Sequence, residues 1–170
     1  MNKKVYLIDS NSLITPFNLY YALEFGSLFW DNIKQHVDAG DIMLLDMVKE
    51  ECIKKKDALT EWFEEFQNII NHRTKEYVFG YTEVLQYIQD NPCYSIGALN
   101  AWSQETVADP WLIAVAKAEG YTIVTFELHH GNLTKNQPTP KVKIPDVAEH
   151  FGVETIDLFE MMHELELRLC

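Results

Sequence analysis

Residues 109–127, DPWLIAVAKAEGYTIVTFE, hold a helix, its stop and a strand in one uninterrupted run. Asp109 suits an N-cap, Pro110 the first helical position and Gly120 the residue just past the end. Tyr121-Thr122-Ile123-Val124-Thr125 then reads as a buried strand leading into Phe126-Glu127.

Working outward, Val5-Tyr6-Leu7-Ile8 reads as another buried strand, left through the polar turn Asp9-Ser10-Asn11-Ser12. Ile42-Met43-Leu44-Leu45 follows Gly40-Asp41 and stops at Asp46, which can cap a helix carrying Val48, Glu50, Glu51 and Cys52. Residues 59–70 (LTEWFEEFQNII) predict a helix with Leu59, Trp62, Phe63, Phe66, Ile69 and Ile70 on one face. Those aromatics are core by spacing. Lys141-Val142-Lys143-Ile144 predicts a strand halted by Pro145, with Asp146 capping a short helix through His150. Val153–Ile156 predicts a last short strand, and Asp157 caps a final helix with Leu158, Met162, Leu165 and Leu169 along one stripe. His129–Pro140, rich in Asn, Thr, Gly and Pro, is the most loop-like stretch.

Strands alternating with helices predict a single domain over residues 1–170: a three-layer α/β/α sandwich with a mostly parallel central sheet. In such folds ligands sit at the carboxyl ends of the strands.

Composition narrows the class. With 170 residues, 47% of them apolar, the chain can bury a real core, which excludes a disordered tail or a small disulfide scaffold. Its net charge of −12 argues against a protein that coats nucleic acid, but not against one that touches a few phosphates through bound cations. Cys52, Cys93 and Cys170 make no CxxC pair and, with no signal-peptide pattern, predict reduced thiols in a cytoplasmic protein. No stretch reaches the length of a membrane span, so no membrane partner is expected.

Four acids fall where the fold puts ligands. Asp9 ends the first strand, Glu127 follows the strand that ends at Thr125, Asp109 opens a helix, and Glu51 lies near the start of another. Taken singly, Asp109 is a ready N-cap, Glu51 one charge on a mixed helix face and Glu127 a loop residue. Asp9 is harder to set aside, because a carboxylate at the end of a buried strand carries a desolvation cost. Together they would repel one another unless a cation joined them. Mg²⁺ or Mn²⁺ takes carboxylate and water oxygens and needs no Cys or His. Metal-assisted phosphodiester hydrolysis is the matching reaction class.

At these residues the chain resembles the PIN domain, the metal-dependent nuclease fold of VapC-like toxins. Leu7-Ile8-Asp9-Ser10-Asn11 matches the family's first acid and the small polar residues after it. Val48-Lys49-Glu50-Glu51 matches its helical Glu, with Glu50 and Glu51 as alternative registers. Ala108–Ala116 matches its second Asp on a helix of small and apolar residues, and Val124-Thr125-Phe126-Glu127 its closing Val-Thr-x-acid. Many PIN nucleases have Asp where this chain has Glu127. The likeness is closer still to a PIN-like subfamily known only as a domain of unknown function, through residues 56–62 (KDALTEW), 143–147 (KIPDV) and 157–161 (DLFEM).

The resemblance implies an RNA-cleaving nuclease. Asp9 and Asp109 would be the main ligands of Mg²⁺ or Mn²⁺, with Glu51 and Glu127 completing the shell directly or through water. Ser10, Asn11 and Thr125 are candidates to hydrogen-bond a metal water or a phosphate, with ordinary turn bonding as the plainer alternative. Lys54, Lys55, Lys56, Arg73, Lys75, Lys135, Lys141 and Lys143 are the sources of local positive potential, and Lys54–Lys56, sharing a segment with Glu51, are the first candidates for backbone contacts. The implied partners are an RNA substrate, an antitoxin protein and a second copy of the chain in a homodimer.

A catalytically idle PIN-like binding or scaffold module regulated by a protein partner is the competing reading. An aspartyl-phosphate phosphatase would need a second Asp two residues after Asp9, where Asn11 stands. His129 and His130 are adjacent loop residues without the i,i+4 spacing of a helical metal pair.

Overall fold

The computed structural model describes residues 3–169. Five short strands, β1 (Tyr6–Ile8), β2 (Ile42–Leu45), β3 (Ile69–Ile70), β4 (Thr122–Val124) and β5 (Thr155–Ile156), form one sheet in the order β3-β2-β1-β4-β5. Every pairing is parallel; Tyr6 lies opposite Ile42 on one side and Thr122 on the other. Consecutive residues of β1 and β4 are all buried, so both faces of the central strands are covered.

The cover comes from nine α-helices among the described residues: α1 (Asn11–Leu19), α2 (Ser27–Asp38), α3 (Asp46–Cys52), α4 (Ala58–Glu64), α5 (Lys75–Asp90), α6 (Ile96–Trp102), α7 (Asp109–Glu119), α8 (Ile144–His150) and α9 (Leu158–Glu164). The result is the expected three-layer α/β/α sandwich. No helix is long and apolar enough to cross a membrane among the described residues.

The longest helix, α5, packs on α7 through a glycine. A Cβ on Gly80 would stand 3.1 Å from Ala114 Cβ, tight enough that α7 would have to give by a few tenths of an ångström. Gly120 ends α7 with φ +72°, the left-handed conformation that favours glycine. Cys52 is buried and Cys93 half-buried, both as free thiols; Cys170 lies outside the described residues.

Several local expectations are corrected. The polar residues after β1 form no separate turn: Ser10 is already helical and α1 begins at Asn11. The helix expected over 59–70 stops at Glu64, and Ile69–Ile70 leave it to become β3, paired with Leu44 and Leu45. Two β-branched residues extend the open edge of β2, and helical spacing alone does not distinguish that from a helix end. The strand expected at Lys141–Ile144 is absent, because Ile144 and Pro145 begin α8. Asp146 therefore sits inside the helix and does not cap it. Asp157 does cap α9, accepting from Glu160 N at 2.8 Å.

Chain order fixes where a ligand can sit. From β1 the chain moves outward through β2 and β3, then returns to the other side of β1 with β4 and β5. The reversal opens a crevice at the carboxyl ends of β1 and β4, flanked by Asp9 and Thr125.

Candidate functional site

Asp9 continues β1 by one residue, its N–H donating to Val124 O at 2.9 Å. That bond holds it in the sheet and leaves its carboxylate 2% exposed. Two hydroxyls face it: Thr125 Oγ1 donates to Oδ2 at 3.0 Å, and Ser10 Oγ lies 3.4 Å from Oδ1. Ser10 Oγ makes its shorter bond, 2.6 Å, to Glu51 Oε2. This resolves the register of α3: Glu51 turns toward Asp9, while Glu50 is exposed.

Glu127 is anchored twice. Lys143 Nζ donates to Oε1 at 2.8 Å, and Ile144 N donates to Oε2 at 2.8 Å, so Glu127 satisfies the first free N–H of α8. Its own N–H bonds Thr125 Oγ1 at 3.1 Å, which ties the two residues after β4 to Asp9.

Asp109 is the first residue of α7, with Ala108 in the cap position and no capping bond from a side chain. The N-cap role expected of it is therefore not what it does. It is half-buried and close enough to Asp9, Glu127 and Glu51 for their charges to act on it.

The electrostatics show that these four acids share one field. Burial raises the Asp9 carboxyl to about 6, against the bond from Thr125, and the charges of Glu51 and Glu127 add to the rise. Burial raises Asp109 further, to about 8, followed by the charges of Asp9, Glu127 and Glu51; only Lys143 opposes it. Burial also pushes up the Cys52 thiol, with Glu51 and Asp9 as its charged neighbours. Lys143 is already paired with Glu127. Asp9 thus has two hydroxyls and other acids around it, Asp109 has other acids, and neither has an ion pair among the described residues.

As they stand, no three or more His, Cys, Asp or Glu side chains of the described residues form a metal-binding group. The donor set nonetheless fits a hard cation: oxygen donors only, partly desolvated, with uncompensated like charge. Mg²⁺ commonly uses one or two carboxylates and keeps several waters, so a complete protein cage is not required.

Among the other candidates, Asn11 opens α1, and Lys54–Lys56 are exposed, with Lys54 and Lys55 in a 3₁₀ turn after α3. His129 and His130 are loop residues as expected, but they are tied down: their Nδ1 atoms lie 2.8 and 2.6 Å from the Asp146 carboxylate. That tie explains Asp146 and was not foreseen. A second unforeseen group surrounds Asp46, which bonds His72 where a plain helix cap was expected. Its only sequence signal is an acid ending one strand and a His just after the next.

No curated protein and no solved structure matches the chain. A family model matches residues 6–169, nearly the whole chain, and the chain belongs to that family, described as Domain of unknown function (DUF4411).

Proposed function

We propose that this protein is a PIN-like, metal-dependent ribonuclease that hydrolyses RNA phosphodiester bonds at the crevice between β1 and β4. The observation that carries this reading is the gathering of Asp9, Glu51, Asp109 and Glu127 at the switch point of the sheet, with Asp9 and Asp109 raised to about 6 and about 8. Asp9 and Asp109 would hold Mg²⁺ or Mn²⁺, since neither has a cation of its own. A bound divalent ion stabilises phosphoryl oxygens and lowers the pKa of a coordinated water.

The chain's own groups supply orientation and charge. Thr125 and Ser10 fix the Asp9 carboxylate by hydrogen bonds, and Ser10 links it to Glu51. Glu127, held by Lys143 and the α8 backbone, contributes negative charge from the rim and reaches a ligand through water. Lys54 and Lys55 beside Glu51 are placed to meet backbone phosphates of the RNA. The net charge of −12 predicts weak, salt-sensitive RNA affinity.

The absence of a ready metal-binding group among the described residues favours a second reading, an idle PIN-like module that acts through a protein partner. The exposed Leu19, Tyr20, Phe25 and Leu28, close in sequence around the α1–α2 connection, would serve such a partner, whether an antitoxin or a second copy. The discriminating experiment is cleavage of a mixed RNA pool by purified protein with Mn²⁺, Mg²⁺ or EDTA, beside Asp109→Asn. Metal-dependent cleavage that vanishes in the variant supports the nuclease. Cleavage that survives it, or none with any metal, supports the module.

A further inference from the structure

The carboxyl ends of β2 and β3 carry polar groups that the acidic site does not use. Asp46 leaves β2, and His72 stands two residues past β3. His72 Nδ1 is 2.9 Å from both Asp46 oxygens, its N–H lies 3.2 and 3.3 Å from them, and Met47 N donates to Oδ1 at 2.8 Å. A carboxylate facing Nδ1 selects the tautomer with the proton there and leaves the lone pair on Nε2. Arg73 Nε donates to that Nε2 at 3.3 Å. Trp111 packs edge-on against the His72 ring at 4.8 Å and is itself stacked on Tyr81 at 4.0 Å.

Arg73 is also fixed at its backbone, where its N–H donates to Asn71 Oδ1 at 2.8 Å. Its guanidinium is held at one nitrogen only, and the residue is exposed. Lys3, Lys4, Lys34, Lys117 and Lys143 each pair with a carboxylate. Arg73, like the remaining lysines and Arg168, pairs with none among the described residues, but of these only Arg73 has its head group bonded to another side chain. The loop tie between Asp46 and His72 accounts for two of the three side chains. It gives no reason for an exposed arginine bonded at Nε, with neither terminal NH₂ group bonded among the described residues; those groups are part of the fork that grips a phosphate through two parallel bonds.

We propose that Asp46, His72 and Arg73 form a relay that presents the Arg73 guanidinium to a backbone phosphate of the RNA. The inference rests on the RNA reading above and extends it along the same sheet edge. β3 lies two strand spacings from β1, about 10 Å, so the phosphate gripped is a neighbour of the one at Asp9 and Asp109, not the reacting one. Arg73 is the binding residue, and His72 and Asp46 position it.

The test is binding of a fluorescent 12-nucleotide RNA in EDTA, followed by anisotropy from 50 to 300 mM salt, with a melting curve for each variant. Arg73→Ala should weaken binding about tenfold at low salt and reduce the slope of log affinity against log salt by about 0.7. Arg73→Lys should restore the slope but not the affinity, because a lysine keeps the charge and loses the fork. His72→Ala should weaken binding severalfold with the slope intact, a split that loss of folded protein would not give. An Arg73→Ala variant equal to wild type in affinity and slope overturns the proposal, as does a wild type that binds no RNA. No divalent ion enters the assay. An Arg73 effect without any cleavage therefore sinks only the nuclease reading, and cleavage with a silent Arg73 sinks only the relay.

Discussion

At the amino end of the sheet, Asp41 meets Lys3 at 2.6 Å and His36 at 2.7 Å, and Glu164 accepts from both Lys4 and Tyr6. At the carboxyl end of β1, Asp9 meets two hydroxyls and other acids, and Asp109 at the start of α7 meets other acids. The consequence is opposite in sign. Burial works to raise Asp41, but the bonds from Lys3 and His36 outweigh it and hold that carboxyl below its ordinary value. Bonds from Lys4 and Tyr6 lower Glu164, whereas Asp9 and Asp109 rise to about 6 and about 8. Acids that serve the fold are supplied with cations by the chain. An acid pair left without one, at the sheet edge where α/β folds place ligands, is costly to the fold, and the proposed function assigns it a cation from outside.

The largest expected effect separates the two ends by activity. Asp9→Asn and Asp109→Asn should each lower metal-dependent RNA cleavage by on the order of 10²–10³-fold, while Asp41→Asn should leave the rate within about twofold. Initial rates on one labelled RNA, normalised to folded protein, measure the contrast.

Stability against pH provides the next test. In metal-free buffer, Asp9 and Asp109 bind protons more tightly folded than unfolded, where both titrate near the ordinary carboxyl value of 3.8. Stability therefore falls as pH rises from about 4, through about 6 for Asp9 and on to about 8 for Asp109. The loss between pH 5 and 8 should be on the order of 5 kcal/mol, a drop in Tm of about 10–20 °C. Asp41 and Glu164 have the reverse sign: their contribution is present at neutral pH and is lost only as pH falls into the acid range. Melting curves from pH 3 to 9 in EDTA should show both limbs, and a flat profile from 5 to 8 would break the comparison.

Substitution should mirror it. In EDTA at pH 8, Asp109→Asn should raise stability by about 1 kcal/mol by removing a repelled, partly buried charge. Asp41→Asn should lower it by about 1 kcal/mol through lost hydrogen bonds. Chemical denaturation reads both.

The smallest effect sharpens the site itself. Glu51→Gln should reduce cleavage about tenfold, because Ser10 links Glu51 to Asp9. Glu50→Gln, on the exposed side of α3, should not change it.

What the sequence revealed followed chemistry that is local. The strands around Leu7, Leu44 and Ile123, helix α7 with its Pro110 and Gly120, and the Asp157 cap each rest on neighbouring residues. The rule that ligands sit at the carboxyl ends of strands then picked out Asp9 and Glu127, with Asp109 and Glu51, with no contact known. What stayed hidden was long-range. Ile69 and Ile70 continue a helical stripe on paper and become β3 only because the edge of β2 is open to them. The amphipathic face of α5, Gly80, Val84 and Ile88, is sparse because a glycine does the packing, and α1, α2, α5 and α6 were not anticipated. Lys143 pairs with a glutamate sixteen residues earlier, and Asp46 with a histidine twenty-six residues later, so the partners of Glu127 and of Asp46 could not be read from spacing.

The central claim is that Asp9 and Asp109 are short of one cation, and a thermal-shift titration with Mn²⁺ at pH 7 tests it most directly. The account predicts that the wild type gains about 2.7 kcal/mol of stability when free Mn²⁺ reaches a hundred times its dissociation constant, that Asp41→Asn gains the same, and that Asp109→Asn gains almost nothing. A wild type whose melting temperature is unmoved by millimolar Mn²⁺, or an Asp109→Asn variant stabilised as much as the wild type, would contradict it.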